Sequence, residues 1–571
     1  MPNSFAYLML FSWPLVIVCL FAVLPRSYAI AISIIGGYLI LPVRTGFNLP
    51  LVPTLDKSLL PSLFTAIMCL VVTERRARPP RRGPHDARTQ ASVSQGEPEA
   101  PRERPKPSYS RQPIRAAGRD ASAAPAVAPM RTALPAVVTT GKALTPVTVQ
   151  GERSAEQAAP MALVQPEKTV RAIVLALVAL GLLSPIATAL TNPDPLFFGS
   201  RFLPGLRLYD AMSMAMNVGV HMLPFVIGWL YLGSPQDLRR LVTVVALAGL
   251  AYSLPALFEV RMSPQLNTWI YGFFQHSFLQ HIRASGYRPV VFLGHGLALS
   301  IFLAQTVFAA IALWRGRERG RGAGAQWLVA AAWLFMTLIL SKSLGAFVIA
   351  CAFGLLLLVG TRRAITIFAA IVVTSVTLYP VLRGSSLSPA DSVYEIVNTF
   401  NAERAESFKF RLDNEDELLD RANQKPLFGW GSWGRNRIFD PRTGEDLSIT
   451  DGDWILTIGV FGWFGYMSKY GLFAIPIIAL ARRRKAPQLT FAACGLCMIQ
   501  AANILDAIPN ATIVPVTWLI AGALAGFACR DDTPAVGAGA GTREIGGRAR
   551  RGGIAPAPAA LRPTSFNRTR G

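Results

Sequence analysis

Charge is scarce in this chain, and what there is leans one way. Only 16% of the 571 residues are Asp, Glu, Lys or Arg, with 56 basic residues against 33 acidic. Such a surface does not suit a soluble protein, and the 52% hydrophobic share places the chain among polytopic membrane proteins. Histidine is rarer still: His85, His221, His276, His281 and His295 show no His-x-x-His or His/Cys/acid spacing. The acidic run LDNEDELLD departs from a calcium loop, so neither a metal nor a cofactor is expected. The cysteines all fall within apolar runs. Cys494 and Cys497 form a CxxC, but FAACGLCMIQ is a helical setting and not a strand-to-helix redox loop, which marks them as packing residues. No cationic stretch with a cleavage site precedes the first apolar run, so Phe5–Leu24 reads as an anchor with an outward N-terminus.

What the chain does have is length of apolar sequence. Runs of roughly 17 to 25 residues, enough to cross a hydrocarbon core, recur about thirteen times; the first is Phe5–Leu24 and the last Ala511–Cys529. The expected fold is therefore an all-α polytopic integral membrane protein with about 12–13 transmembrane helices and one large outer, periplasmic loop. Residues 1–73 hold the N-terminal helices, 169–382 the transmembrane core and 451–529 the C-terminal helices. Residues 74–168 and 530–571 turn abruptly to Arg, Pro, Ala, Gly and Ser, a composition that cannot bury enough apolar surface to offset chain entropy. Both are expected to be disordered and cytoplasmic.

Positive loops stay in the cytoplasm. Arg239 and Arg240, WRGRERGRG after Leu313, Arg362 and Arg363, and ARRRK from Ala481 then share one side with the two low-complexity segments. The net charge of +23 follows from this topology and does not point to nucleic acid. The alternate loops, Thr191–Tyr209, Glu259–Pro289 and the large loop 383–450, face outward.

The large loop has no packing use in a membrane protein, so chemistry on a polar substrate is sought there. Pro389–Glu406 and Phe408–Asn423 read as helices, the second amphipathic through Leu412, Leu418 and Leu419 and suited to the interface. KPLFGWGSWG then breaks the pattern with Pro426, Gly429, Gly431 and Gly434. Arginine matches phosphate and diphosphate best, because its planar fork makes paired charge-assisted hydrogen bonds at any working pH. Outer arginines are Arg283 and Arg288 in HIRASGYRP, and Arg404, Arg411, Arg421, Arg435 and Arg437 in the large loop. Lys469 is unusual inside an apolar stretch: either Trp454–Gly465 lies at the surface, as the glycines there favour, or Lys469 faces an internal cavity.

The order Arg411, Ala422, Lys425-Pro426-Leu427-Phe428-Gly429-x-Gly431, then Gly462 and Gly465, resembles the O-antigen ligase and Wzy-type polysaccharide polymerase superfamily. RASGYRPVVFLGHGLALS from Arg283 is similar to that family's Arg-x-x-Gly segment. LILSKSLGAFVIA resembles its Ser-rich turn, with Lys342 where Arg is frequent. Where the ligase branch opens the next span with histidine, this chain has Asp451-Gly452-Asp453, so the histidine's role is not carried over. Asp451, and after it Asp453, are the candidates for the base that takes the acceptor's proton.

The resemblance implies a metal-independent glycosyltransferase of the bacterial cytoplasmic membrane, multi-pass, with its site facing the periplasm. Its donor is a polyprenyl-diphosphate-linked saccharide, its acceptor a glycan, and other polysaccharide assembly proteins are possible partners. Polymerisation of repeat units into exopolysaccharide or O-antigen is the first reading; ligation to a lipid A core and a lipid-linked oligosaccharide flippase or transporter are the alternatives. Arg283, Arg288, Arg411, Arg404, Arg421 and Arg435 are the candidate diphosphate and glycan contacts. Deleting 74–168 is expected to leave membrane insertion intact. Membrane fractionation of the deletion variant checks this; recovery of the variant in aggregates would assign the insert a role in the fold.

Overall fold

The computed structural model describes residues 1–49, 52–72, 166–283, 286–317, 324–385, 394–395, 398–399, 402–449, 451–483 and 489–530. The low-complexity insert up to residue 165, the tail beyond Arg530 and most of the expected helix 389–406 lie outside the described residues. The chain begins with α1 (Ser4–Val23), α2 (Arg26–Ile40), a hairpin of β1 (Gly46–Leu49) and β2 (Val52–Asp56), and α3 (Leu59–Val71). After the insert come α4 (Pro166–Leu190), the hairpin β3 (Leu196–Phe198) and β4 (Arg201–Leu203), α5 (Leu208–Tyr231), α6 (Pro235–Met262) and short α7 (Leu266–Tyr271). A third hairpin, β5 (Ile282–Arg283) and β6 (Gly286–Tyr287), leads to α8 (Gly296–Arg315), α9 (Ala325–Leu340), α10 (Leu344–Val359) and α11 (Arg362–Arg383). The large loop carries α12 (Ala402–Asn423), and α13 (Asp453–Arg482), α14 (Phe491–Asp506) and α15 (Pro515–Ala528) complete the chain.

Among the described residues seven helices are long and apolar enough to cross a membrane, and six shorter apolar helices accompany them. The expected all-α polytopic architecture is therefore present, with antiparallel two-stranded hairpins confined to connections. The helices start where short polar side chains can accept from the first turn. Asn3, Ser234, Thr361 and Thr490 cap α1, α6, α11 and α14 in this way. The axis of the bundle is α8, whose apolar window is 89% buried. It packs against α6, α9, α10 and α14.

Side-chain to backbone bonds divide the bundle into two ends. At one, arginines tie the turns together: Arg26 donates to the Val72 carbonyl, Arg315 to Leu357, Leu358 and Gly360, Arg362 to Leu489 and Arg483 to Ala528. At the other, Asn3 donates to the Ile270 carbonyl, Lys57 to Phe292, Arg288 to Lys342 and Arg435 to Pro204 and Asp194. The connections that charge counting assigns to opposite sides thus meet only their own kind in these bonds, as alternating crossings require. We call the two ends the basic face and the loop face.

The helix α13 is two helical segments folded sharply at Gly462, whose φ of 63° and ψ of −163° belong to a region open essentially to glycine alone. Sixteen residues of straight helix span about 24 Å, yet the Lys469 ammonium stands 2.7 Å from the Asp453 carboxylate, so the chain has doubled back. Backbone groups released by the break are taken up by KPLFGWG. Trp463 and Phe464 N–H donate to the Pro426 and Leu427 carbonyls, and Trp430 and Gly431 N–H donate to Gly459 and Val460. The end of α4 holds the motif from behind, through Thr188 to the Phe428 carbonyl at 2.6 Å and Asn192 to Gly429 at 2.9 Å.

A Cβ at position 462 would collide with the Leu427 carbonyl. Gly462→Ala is therefore expected to cost at least about 2 kcal/mol from backbone strain and clash together. Gly345→Ala, whose added methyl meets nothing within 4 Å, serves as the matched control. Thermal unfolding in detergent should show a lowered midpoint for the first alone; equal midpoints would remove the close approach from the account.

Candidate functional site

Three groups of polar residues gather toward the loop face. The first lies on α12 and the start of α13. Arg411 and Glu415 are four residues apart on α12, hence on one side of it. They line a cavity of about 290 Å³ with Tyr379, Asn414, Asp451 and Ile508. The Arg411 Nε stands 3.5 Å from the Asp451 carboxylate, both side chains being nearly half exposed. Asp451 does not cap α13, because Gly452 occupies the cap position without a side-chain bond. Glu415 accepts from the Tyr379 hydroxyl at 3.2 Å. Burial, opposed first by that hydrogen bond, pushes its carboxyl up to about 7. Arg383 pins α12 to α11, donating to the Leu412 carbonyl and to Asp416 at 2.7 Å.

The second group is a cavity of about 510 Å³ inside the helices, between α4, α5, α13 and α15. Met214, Met222, Phe461 and Trp518 give it apolar walls, while Asn217, His221, Asp453 and Lys469 form polar ones. Asp453 accepts from Lys469 at 2.7 Å and from the Tyr470 hydroxyl at 3.0 Å, and Lys469 donates further to Thr457. Lys469 therefore faces a cavity, with its charge paired to Asp453. The ion pair replaces the hydration each charge would otherwise lose.

The third group is built on the α6–α8 connection and the α9–α10 turn. Glu259, 1% exposed, accepts from the backbone N–H groups of Leu266, Val290 and Val291 and so folds the connection back on itself. Val291 and Lys342 both carry positive φ, 56° and 57°, unusual for residues with side chains and costly for a β-branched one. A Cβ on Gly286 would lie 3.0 Å from the Lys342 ammonium, so glycine there admits the lysine. Arg288 is buried, donates to the Lys342 carbonyl at 3.2 Å and is lowered to about 10 by burial and then by Arg283. Arg283 itself is exposed on β5. Lys57 of the first hairpin donates to the Phe292 carbonyl at 3.1 Å, and burial lowers it to about 7.

The structure thus joins Arg411 to Asp451, sets Asp453 in a different cavity, and places Arg283 and Arg288 together on a separate connection. Two other expected contacts are occupied within the protein. Arg435 is 2% exposed and donates to the carbonyls of Trp430, Pro204 and Asp194. Arg421 stacks 3.4 Å from the Trp430 ring centroid and donates to Gln424 and to the Arg435 carbonyl. Both hold the shape of the loop. The side chain of Arg404 lies outside the described residues. Glu415, Tyr379 and Lys57 were not singled out in the sequence: Glu415 is one acid among several in LDNEDELLD, and only the seating of α12 distinguishes it. Among the described residues no three His, Cys, Asp or Glu are arranged to hold a metal ion.

Residues 329–468 match the family model described as O-Antigen ligase. The match supports the O-antigen ligase-like superfamily for this segment of the chain. The matched segment contains the Lys342 turn, α12, the KPLFGWG clip and both aspartates; Arg283 and Arg288 precede it, and Lys469 follows directly after its end. No curated protein matches the chain. The match and the apolar helices support a role in polysaccharide assembly at a membrane.

Because the folded-state value of Glu415 is raised from 4.5 to about 7, its contribution to stability is complete below pH 4.5 and is lost as pH rises through about 7. Glu415→Gln is expected to flatten that decline. Unfolding midpoints of both proteins from about pH 5 to about pH 8 check it; parallel curves would mean that Glu415 ionises normally.

Proposed function

We propose that this O-antigen ligase-like protein polymerises polyprenyl-diphosphate-linked oligosaccharide repeat units at the outer face of the bacterial cytoplasmic membrane, yielding exopolysaccharide or O-antigen. One observation carries the reading. A cation-lined connection and a cavity with a carboxyl near neutrality both gather at the loop face, opposite the arginine-tied basic face. The basic face is the cytoplasmic one by the charge rule.

In the proposed reaction the donor's diphosphate lies against Arg283, Arg288 and Lys342. The bond from the sugar's anomeric carbon to the diphosphate oxygen breaks, and its electron pair leaves with the polyprenyl diphosphate. Fixed guanidinium charge stabilises the oxygen that becomes negative. The acceptor hydroxyl forms the new bond from the opposite face, with inversion, and gives its proton to a carboxylate. Asp451 was the first choice from sequence and Asp453 the second. With Asp453 engaged by Lys469 and Tyr470, we assign the proton to Glu415, whose titration near neutrality suits a base at working pH, and give Asp451 the task of holding Arg411 over the acceptor.

The matched family model's description favours a second reading, transfer of a finished glycan to a lipid A core or another acceptor. Disruption of the gene separates the two. Loss of long polysaccharide with single lipid-linked repeats accumulating outside is expected for the polymerase; intact polymer on its lipid carrier would indicate the ligase, and repeats held on the inner leaflet a flippase. In a transfer assay Glu415→Gln and Arg411→Ala should each lower the rate about 10²-fold or more, and the rise of rate through about pH 7 should vanish in Glu415→Gln. Full activity in both variants would remove this cavity from the reaction.

A further inference from the structure

Three of the five histidines meet on the α6–α8 connection. The ring centroids of His276 and His295 are 4.7 Å apart, those of His281 and His295 5.2 Å, and those of His276 and His281 5.9 Å. His281 is fully buried, and the Arg288 backbone N–H donates to its carbonyl at 2.8 Å. Three buried polar atoms in the cluster, His276 Nδ1, His281 Nε2 and Arg288 Nε, have no hydrogen-bond partner among the described residues. Burying such atoms unpaired costs about 1–3 kcal/mol each, so a site of this kind is built for something that completes it.

The charges around it indicate what that is. Arg288 and Arg283 both place positive charge near His281. The Lys342 ammonium lies against Gly286 of the same connection, and Lys57 is bonded to Phe292. Two acids stand near these cations: Glu259 is already saturated by three backbone N–H groups, and Asp56, beside Lys57, accepts from the Ser58 and Leu59 backbone N–H groups. A concentration of cations whose nearby carboxylates are taken is complementary to an anion.

The protonation sites follow from the hydrogen bonds. His281 Nδ1 lies 2.9 Å from the Ser277 carbonyl, which can only accept, so Nδ1 carries the proton and neutral His281 presents a bare Nε2. His295 Nδ1 accepts from the Leu297 N–H, so its Nε2 is the donor while the ring is neutral. Burial and then the neighbouring cations lower His295 to about 4 and shift His281 downward as well. Both rings are neutral in the unoccupied protein at pH 7, and only His281 has a free nitrogen to protonate.

We propose that His281, with Arg288 and His276, forms a proton-coupled phosphate subsite that takes the diphosphate of the lipid-linked donor, His281 Nε2 gaining a proton from solvent as the anion binds and donating it in a hydrogen bond to a phosphate oxygen. The choice of ligand rests on the donor reading above; the proton coupling does not. An anion beside the ring cancels the repulsion from the arginines and favours the imidazolium. Binding therefore takes up a proton and tightens as pH falls, by up to about tenfold per pH unit, until the unoccupied protein is itself protonated.

The test uses the full-length protein in detergent, with farnesyl diphosphate and inorganic pyrophosphate as probes. Titration calorimetry in two buffers of different ionisation enthalpy counts protons taken up near pH 7. Comparing wild type with His281→Gln cancels the probes' own titration. We expect wild type to take up more protons than the variant, approaching one per probe bound, and His281→Gln to weaken binding several-fold at pH 6 and little at pH 8. His276→Gln, a less buried change, should weaken binding at both. Binding of both probes with the same pH slope assigns recognition to the phosphates. Binding of farnesyl diphosphate alone, with no extra proton uptake in wild type, assigns it to the lipid and overturns the proposal. Equal slopes in wild type and His281→Gln, with the variant unfolding at the wild-type temperature, overturn the coupling and leave the donor reading standing. Failure of wild type to bind either probe at any pH removes the phosphate subsite and the donor reading together.

Discussion

Everything distinctive about the loop face depends on the break in α13. A helix that crosses lipid satisfies its own backbone, and a break inside it strands N–H and carbonyl groups where water is scarce. Here the freed groups around Gly462 find the backbone of KPLFGWG, which the end of α4 presses into place. Break and clip are two halves of one arrangement, since neither segment has its hydrogen bonds satisfied without the other. Doubling back also brings Asp453 to Lys469 and opens the space between α4, α5 and α15. Just ahead of α13, Asp451 stands within reach of Arg411 on α12.

The helical architecture was legible in the sequence because lipid permits few solutions. Continuous apolar runs, arginine-rich connections on alternate sides and glycine with proline at the break all leave marks that composition displays. The amphipathic helix expected at Phe408–Asn423 exists as α12, begun slightly earlier at Ala402. Pairing across the break was not legible. Asp453 and Lys469 would be about 24 Å apart on a straight helix, and nothing in the residues says how sharply glycine bends the chain.

The candidate residues divided along the same line. Arg411 and Asp451 met, whereas Arg435 and Arg421 went to carbonyls and an aromatic ring, because guanidinium groups that hold a loop's shape look identical in sequence to those that face a ligand. Glu415 was hidden among neighbouring acids until α12 packed against Tyr379. The three histidines that meet have spacings of five and fourteen residues, which no motif describes. Glu259 brings them together by gathering backbone from both ends of the connection.

The Asp453–Lys469 pair also constrains how this protein can vary among its descendants. A lineage that loses the carboxylate first must carry a stranded ammonium among Met214, Met222 and Phe461, and one that loses the lysine first a stranded carboxylate. Either intermediate is worse than both the starting chain and a chain with two neutral residues. The two positions, 16 apart in the sequence, should therefore be inherited as a unit, tied by a fitness valley that single substitutions cannot cross cheaply.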